Sequence, residues 1–392
     1  MSKLNDLIKE LCPDGVEYKP LDSFATIVRG NGLQKKDFTE DGVGCIHYGQ
    51  IYTYYGTYAY ETKSKVSVEL AETLKKVETG DLVVAVTSEN IEDVCKCVAW
   101  LGEETIVTGG HAAIIKHKQN SKYLAYYFQT EDFYKQKVKI VTGTKVMDIA
   151  PSKMGKIIIP IPPLPVQCEI VRILDNFTAL TSALTAELTA QRKRYSGFLN
   201  SLLSFEGRDA QDGVLWKKLG DAVGIKRGVR VVKAQLNEVG EYPVYQNSLT
   251  ALGNYNYFNC NANKTFLITA GAAGEIGYSY VPFWAADDCY YFECNDSGLM
   301  ERYLYYALKT RQYKLKRMVR NASVPRLGRY SIENLLIPVP SLEEQQRIVD
   351  ILDRFDKLCN DLSEGLPAEI AARQKQYEYY RDKLLTFKEK KA

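Results

Sequence analysis

Lysines and arginines crowd two stretches of a chain whose overall charge is small. Residues 309–330 hold Lys309, Arg311, Lys314, Lys316, Arg317, Arg320, Arg326 and Arg329 and no acidic residue, against a net charge of +3 for all 392 residues. Residues 134–156 hold Lys135, Lys137, Lys139, Lys145, Lys153 and Lys156 against Asp148 alone. Small polar residues accompany both runs, Thr142-Gly143-Thr144 in one and Asn321-Ala322-Ser323 in the other. Ammonium, guanidinium and hydroxyl donors in this mixture suit phosphate oxygens, and two such patches suit a long polyanion gripped at two places. The candidate phosphate contacts are Lys135, Lys137, Lys139, Thr142, Thr144 and Lys145, with Lys314, Lys316, Arg317, Arg320, Asn321, Ser323 and Arg326. A charge run is more often a solvated face than a site, but recurrence at the same place in both halves favours binding.

Base edges need a different donor set. Gln50, Gln246 and Asn247 lie in loops rich in glycine and tyrosine, and side-chain amides can pair with adenine through two hydrogen bonds. Catalytic chemistry finds no support. The chain has no GxxxxGK[ST] phosphate loop, no Asn/Asp-Pro-Pro-aromatic methyltransferase motif, no HExxH and no GxSxG. Gly271-Ala-Ala-Gly274-Glu-Ile-Gly277 runs on into Tyr278-Ser-Tyr280-Val281, which predicts a hairpin or bulge rather than a dinucleotide cradle. His47, His111 and His117 all lie in one half, so a catalytic role shared by both halves is not expected, although His111 beside Gly109-Gly110 is placed to line a groove.

The halves themselves are defined by one sentence written twice. Residues 159–177 read IPIPPLPVQCEIVRILDNF and residues 337–355 read IPVPSLEEQQRIVDILDRF, with eleven of nineteen positions identical at an offset of 178. So long a period implies two domain-sized units in tandem rather than a solenoid. Asp14-Gly15-Val16 and Leu21 recur as Asp212-Gly213-Val214 and Leu219, and Tyr48, Gly56 and Tyr58 match Tyr245, Gly253 and Tyr255. Framework is repeated while the middle of each half differs.

Ile-Pro-x-Pro forces an extended entry, and a helix should start at once after it, with Ser341 and Glu344 as a capping box in the second copy and Pro165 in the opening turn of the first. Ile170, Ile173, Leu174, Phe177, Leu180, Leu184 and Leu188 share one face, as do Ile348, Ile351, Leu352, Phe355, Leu358 and Leu362. The first helix is expected over about 165–204, near 60 Å at 1.5 Å per residue, and an antiparallel pairing with its counterpart would bury both seams. Gly365 and Pro367 predict a break in the second copy. Thr181–Arg192 reads TSAL-TAEL-TAQR, a tetrapeptide quasi-repeat that can act as a ruler. Leu4, Leu7, Ile8 and Leu11 make residues 2–11 a short amphipathic helix expected near the carboxyl end of the last helix. Further helices are expected near 121–138 and 299–319, behind runs rich in Val, Ile, Tyr and Thr that read as strands.

The expected class is α+β: a tandem pseudo-two-fold repeat of two mixed, sheet-containing domains separated by two long helices in an antiparallel coiled coil. The expected divisions are 1–160, 161–207, 208–338 and 339–392. A composition of 25% charged and 45% hydrophobic residues is ordinary for a soluble globular protein. The first ten residues lack an apolar signal segment, no apolar run approaches a membrane span, and nine cysteines lack metal-type spacing. A cytoplasmic location with reduced thiols is the expectation, with no membrane partner, metal or bound cofactor.

Two variable domains, each followed by IPxPxLxxQxxIVxILDxF and a helix ending in Lys-x-Tyr and Leu-Leu-x-Phe, resemble the specificity subunit of a type I restriction-modification system. The resemblance covers essentially the whole chain. It implies two target-recognition domains, each reading half of a bipartite site in double-stranded DNA, with the paired helices setting the gap. It also implies two adenine-N6 methyltransferase (M) subunits carrying S-adenosylmethionine, restriction (R) subunits using ATP, and no catalysis by this chain. The Thr185–Leu188 unit is similar to the TAEL spacer repeat of one subgroup. Pro165, Val166 and Cys168 stand where the second copy has Glu343, Glu344 and Gln346, which leaves the equivalence of the two methylase-docking surfaces open. A free-standing nucleic-acid-binding regulator and an interaction scaffold are the alternatives, and a single-chain enzyme ranks last.

Overall fold

The computed structural model describes residues 2–205, 207, 211, 213–237, 239–294, 298–361 and 363–390; Asp212 and Leu362, both named above, lie outside these. Two compact units emerge, Met1–Leu184 with Ile370–Ala392 and Thr185–Glu369. The division therefore runs through the helices rather than at their ends.

In the first unit, antiparallel pairing joins Ala25–Arg29, Ala112–His117, Leu82–Ala85 and Cys97–Trp100, and Tyr58–Ala59 adds a parallel edge strand. In the second, Gly224–Arg227, Cys289–Glu293, Lys264–Ile268 and Ile276–Ser279 repeat the four antiparallel strands without the fifth. A second sheet accompanies each, of five strands in the first unit and three in the second. It includes parallel pairing of Val43–Ile46 with Ile106–Thr108 in one unit, and of Tyr242–Tyr245 with Trp284–Ala285 in the other.

This register corrects one match made by letters. Ile46 faces Thr108 where Tyr245 faces Ala285, whereas Tyr48 opens the helix Tyr48–Thr53. Likewise Tyr58 pairs with Ala99 and Tyr255 with Tyr242. The Tyr48, Gly56 and Tyr58 anchors are therefore not the structural counterparts of Tyr245, Gly253 and Tyr255. The Gly271–Gly277 segment is a hairpin turn between paired strands, with Gly271 and Gly274 at positive φ.

The repeated sentence forms a short strand and then a helix in each unit. Ile158–Pro160 pairs with Tyr18–Pro20, and Leu336–Val339 pairs with Leu215–Lys218. The helices are Leu164–Leu203, and Leu342–Asn360 followed by Leu366–Leu384, broken where Gly365 and Pro367 forecast. Ser341 caps the second copy by accepting the Glu344 N–H at 3.3 Å. The helix expected over 121–138 is instead two, Ser121–Tyr127 and Glu131–Lys137, because Thr130 caps a fresh start on Phe133 N–H. Its counterpart is the single helix Glu301–Arg317.

Each unit clamps its sheet-bearing part to its own copy of the sentence with the same atoms. Tyr123 and Tyr303 hydroxyls donate to the Pro160 and Pro338 carbonyls at 2.8 and 3.0 Å. The fully buried Gln167 accepts from Asn120 N–H and donates to the Pro162 carbonyl; Gln345 accepts from Met300 N–H and donates to the Gly298 and Pro340 carbonyls, all within 2.9 Å. Lys122 meets Asp175 at 2.9 Å where Arg302 meets Asp353 at 2.6 Å, and Tyr126 and Tyr306 donate to those same carboxylates. Burial works against the Lys122 charge, but the hydrogen bond and charge of Asp175, with Tyr58 and Tyr60 nearby, together outweigh this and raise its pKa.

The expected seam is thus partly a domain seam. Ile170 and Leu174 belong to the core of the first unit and Ile348 and Leu352 to that of the second. Ile173, Phe177, Leu184, Ile351 and Phe355 are half-buried and Leu188 is buried, whereas Leu180 and Leu358 are exposed. Helix pairs with helix through Phe177 stacked on Tyr380 at 5.5 Å in the first unit and Phe198 on Phe355 at 5.0 Å in the second. Within the second unit Arg192 donates to the Cys359 carbonyl and Phe198 meets Phe355, so the partner residue retreats as the long helix advances, which is antiparallel pairing. Leu4, Leu7 and Ile8 share a core with Leu384 and Leu385, while Leu11 is exposed.

Replacing Gln345 by Leu strands one amide and two carbonyls. A loss of roughly 2–4 kcal/mol is expected, and the same for Gln167→Leu. Urea unfolding checks this, and a change under about 0.5 kcal/mol would remove the clamp from the account.

Candidate nucleic-acid interface

Antiparallel order brings three strand ends together at one edge of each main sheet. In the first unit these are the end of Ala25–Arg29, the start of Ala112–His117 and the end of Leu82–Ala85. Arg29 is fixed there, its Nε donating to the Gly110 carbonyl at 3.0 Å and its Nη2 meeting Asp148 at 2.7 Å. In the second unit Arg227 Nε donates to the Asp287 carbonyl at 3.0 Å. Gly30 and Gly228 follow these arginines so closely against backbone that a Cβ would lie 2.2 and 2.1 Å from a carbonyl oxygen, so each site admits only glycine. Neither arginine was named from the sequence, although the repeat of Arg-Gly in IVRGN and IKRGV carried the signal.

The loops after the two basic helices arrive at this edge. Thr142 and Asp148 exchange backbone hydrogen bonds at 3.0 and 2.8 Å, and Met147–Asp148 pairs with Thr87–Ser88. Arg320 and Arg326 exchange theirs at 2.9 and 3.1 Å, and Arg326 bridges to Ala270. Thr142, Thr144, Lys145, Arg320, Asn321, Ser323 and Arg326 are all exposed on these hairpins. Asn247 is brought beside the second one, its carbonyl accepting from Ala272 N–H at 2.9 Å while Gly271 N–H donates to Pro325. Gln246 reaches Asp287 at 3.5 Å and Arg326 lies 3.8 Å from Asp288.

Several expected contacts are spent elsewhere. Lys137 is buried, and its ammonium donates to the Val94 and Glu92 carbonyls at 2.9 and 3.3 Å; burial depresses its pKa. It closes the core beneath its helix and does not face solvent. Lys135 pairs with Glu131 at 2.8 Å and Lys316 with Glu275 at 2.5 Å, while Arg311 is buried against the Ala307 and Leu203 carbonyls. Lys139, Lys314 and Arg317 are exposed. Gln50 has both amide ends engaged, accepting from His47 N–H and donating to Ser64 Oγ at 2.6 Å, and so serves a helix start rather than adenine.

A cleft of about 720 Å³ adjoins the first hairpin, with Tyr48, Gln50, Ser88, His111 and Val146 in its wall. His111 Nδ1 bonds Thr87 Oγ1 at 2.8 Å, so this histidine does line a groove. Burial, with nearby Lys35 and His111, lowers the His47 pKa. Among the described residues no group of three or more His, Cys, Asp or Glu side chains is arranged to hold a metal, and no helix is long and apolar enough to cross a membrane.

Comparison with known proteins gives a consistent result. The model of the type I restriction modification DNA specificity domain matches twice, over residues 13–193 and 213–372. A putative type I restriction enzyme specificity subunit of Haemophilus influenzae is 28% identical, over 95% of this chain and 96% of its own length. The EcoR124I/EcoR124II specificity subunit of Escherichia coli is 35% identical over 59% of this chain and 63% of its own. The crystal structure of the type-I restriction-modification S subunit from M. genitalium superposes with a TM-score of 0.62 at 17% identity, over 95% of this chain and 96% of that one. A chain solved in work on complex assembly and conformational transition of the type I R-M system gives 0.62 at 16%, over 95% and 97%.

The placement of the cations separates two behaviours. Arg317→Ala should lower the slope of log affinity for duplex DNA against log salt by about 1 without changing the melting temperature. Lys137→Ala should do the reverse, leaving the slope and lowering the melting temperature. Titrations at four salt concentrations with parallel thermal melts decide, and the opposite assignment would return Lys137 to the interface.

Proposed function

The chain belongs to the type I restriction modification DNA specificity family, and we propose that it is the non-catalytic subunit that gives such a complex its target sequence. Each unit reads one half of a bipartite site in double-stranded DNA. The observation that carries this is the duplicated edge, where an arginine bonded to a backbone carbonyl and followed by a glycine with no room for a Cβ recurs beside a stitched hairpin that bears exposed cations. A bare affinity for polyanions would need the cations alone. Two rigid presentations with different loop residues suit two different half-sites.

Partners follow from the same reading. Two adenine-N6 methyltransferase subunits dock on this chain and bring S-adenosylmethionine, and restriction subunits bring ATP-dependent cleavage; this chain itself binds neither small molecule. The complex works in the cytoplasm, where the DNA is. The helix pairing antiparallel to its counterpart sets the unspecified gap. One tetrapeptide such as Thr185–Leu188 spans about 6 Å of helix, just under two base pairs at about 3.4 Å each.

The test is single-molecule sequencing of DNA from cells expressing this chain with its methyltransferase partner, scored for N6-methyladenine. A split motif that disappears when this chain is deleted is the expected result; methylation indifferent to the deletion would leave the regulator or scaffold reading. Removal of Thr185–Leu188 should then shorten the gap by one or two base pairs and leave both half-sites intact. An unchanged gap would take the ruler role away from this helix.

A further inference from the structure

The two hairpins are the same device carrying different tips. Ile149 N–H donates to the Val86 carbonyl as Leu327 N–H donates to Thr269, at 3.0 and 2.8 Å. One step back, Asp148 pairs with Thr87 as Arg326 pairs with Ala270. One step further, Thr142 closes on Asp148 as Arg320 closes on Arg326. Register alone therefore aligns 142–149 with 320–327, residue for residue. Five residues are left as a loop on each stem, Gly-Thr-Lys-Val-Met at 143–147 and Asn-Ala-Ser-Val-Pro at 321–325.

The stems are fixed and the tips stand in solvent. Each stem is stitched to the segment that continues a strand of the main sheet, residues 86–88 after Leu82–Ala85 and residues 269–270 after Lys264–Ile268, so little conformational freedom remains to be lost on binding. Residues 142–146 and 320–324 are exposed without interruption. Val146 and Val324, at the same place in both loops, are 58% and 45% exposed. An apolar branched side chain held out on a rigid stem between cations suits a surface that is charged at its edges and carries methyl groups within. The major groove of duplex DNA is such a surface, with phosphates along its rims and thymine C5-methyl groups on its floor.

The tips also differ in backbone. Gly143 has φ +107, and a Cβ there would lie 2.0 Å from the Val146 carbonyl oxygen. Asn321, its equivalent, does not take a positive φ. Lys145 and Asn321 are therefore presented from different loop shapes on one common stem.

We infer that residues 143–147 and 321–325 are matched groove-reading tips, one for each half-site. Lys145 reads a guanine through O6 and N7, Asn321 reads an adenine through N6 and N7, and Val146 and Val324 contact thymine methyls. Arg320 and Lys139 flank the tips at the phosphates. This rests on the specificity-subunit reading and names the residues that execute it.

Lys145→Ala and Asn321→Ala, each co-expressed with the methyltransferase partner, test it by the methylated motif and by competition binding of the assembled complex. Both side chains are exposed, so melting temperatures should match the unsubstituted chain. Expected is a loss of discrimination of about 5- to 150-fold at one base position, in one half-site for Lys145→Ala and in the other for Asn321→Ala, with the gap unchanged. If the unsubstituted chain directs a split motif and both variants keep every position of it, the tips do not read bases. Weakening that is uniform across sequences, with a reduced salt slope, would make them phosphate contacts only and overturn the assignment. Relaxation of the same half-site by both variants would overturn the pairing of one tip with one half-site. If the unsubstituted chain directs no motif, it is the specificity reading that fails.

Discussion

Everything in each unit depends on a buried polar clamp between the sheet-bearing part and the helix that follows it. An uncharged glutamine with no exposed surface, Gln167 or Gln345, satisfies a backbone amide at the start of one helix and a proline carbonyl at the start of another. A tyrosine hydroxyl closes a second proline carbonyl, and a cation, a tyrosine and an aspartate close the third contact. The carbonyls of Pro160, Pro162, Pro338 and Pro340 lie where the chain leaves a strand for a helix, and without a donor they would be left unpaired in the core. The clamp supplies their partners. In the second unit Arg302 also lies within 5.2 Å of the rings of Tyr278, Tyr280, Tyr305 and Tyr306, so its charge is held by aromatic faces as well as by carboxylates.

The clamp fixes where the recognition edge points relative to its own helix, and it uses up charge in doing so. Lys122 and Arg302 serve structure, as do Lys137 and Arg311 deeper in their units. Of the cations left at the surface, Lys145 and Arg320 lie on the stitched hairpins and Lys139 just before one of them, while Lys314 and Arg317 lie on the basic helix of the second unit. A basic stretch in a sequence therefore mixes two populations. Burial, which costs an ammonium its hydration and lowers its pKa as at Lys137, is what tells them apart.

Much of the fold was legible because it is written twice. The helix that starts after Ile-Pro-x-Pro, its break near Gly365 and Pro367, and the hairpin at Gly271–Gly277 each follow from a local backbone rule. Two readings failed, one through a local cap that helical periodicity does not register and the other through tertiary pairing. Thr130 divides a helix that periodicity makes continuous, and the tyrosine match at offset 197 joined residues that the strand register keeps apart. Leu180 and Leu358 fit the apolar stripe yet lie exposed, because a stripe is buried only where something faces it.

The sequence by itself determined the duplication, the family, the absence of catalytic motifs and the stretches in which binding residues must be sought. Identity of type and spacing suffices for those, since they depend on neighbours along the chain. Only the tertiary structure decided which cations face solvent, that Gln50 is spent on a helix start, and that Arg29 and Arg227 join the edge. It alone aligned 142–149 with 320–327, through hydrogen bonds between segments about sixty residues apart in both units. Such contacts are set by sheet register, and register depends on the whole pattern of pairing rather than on any one stretch of residues.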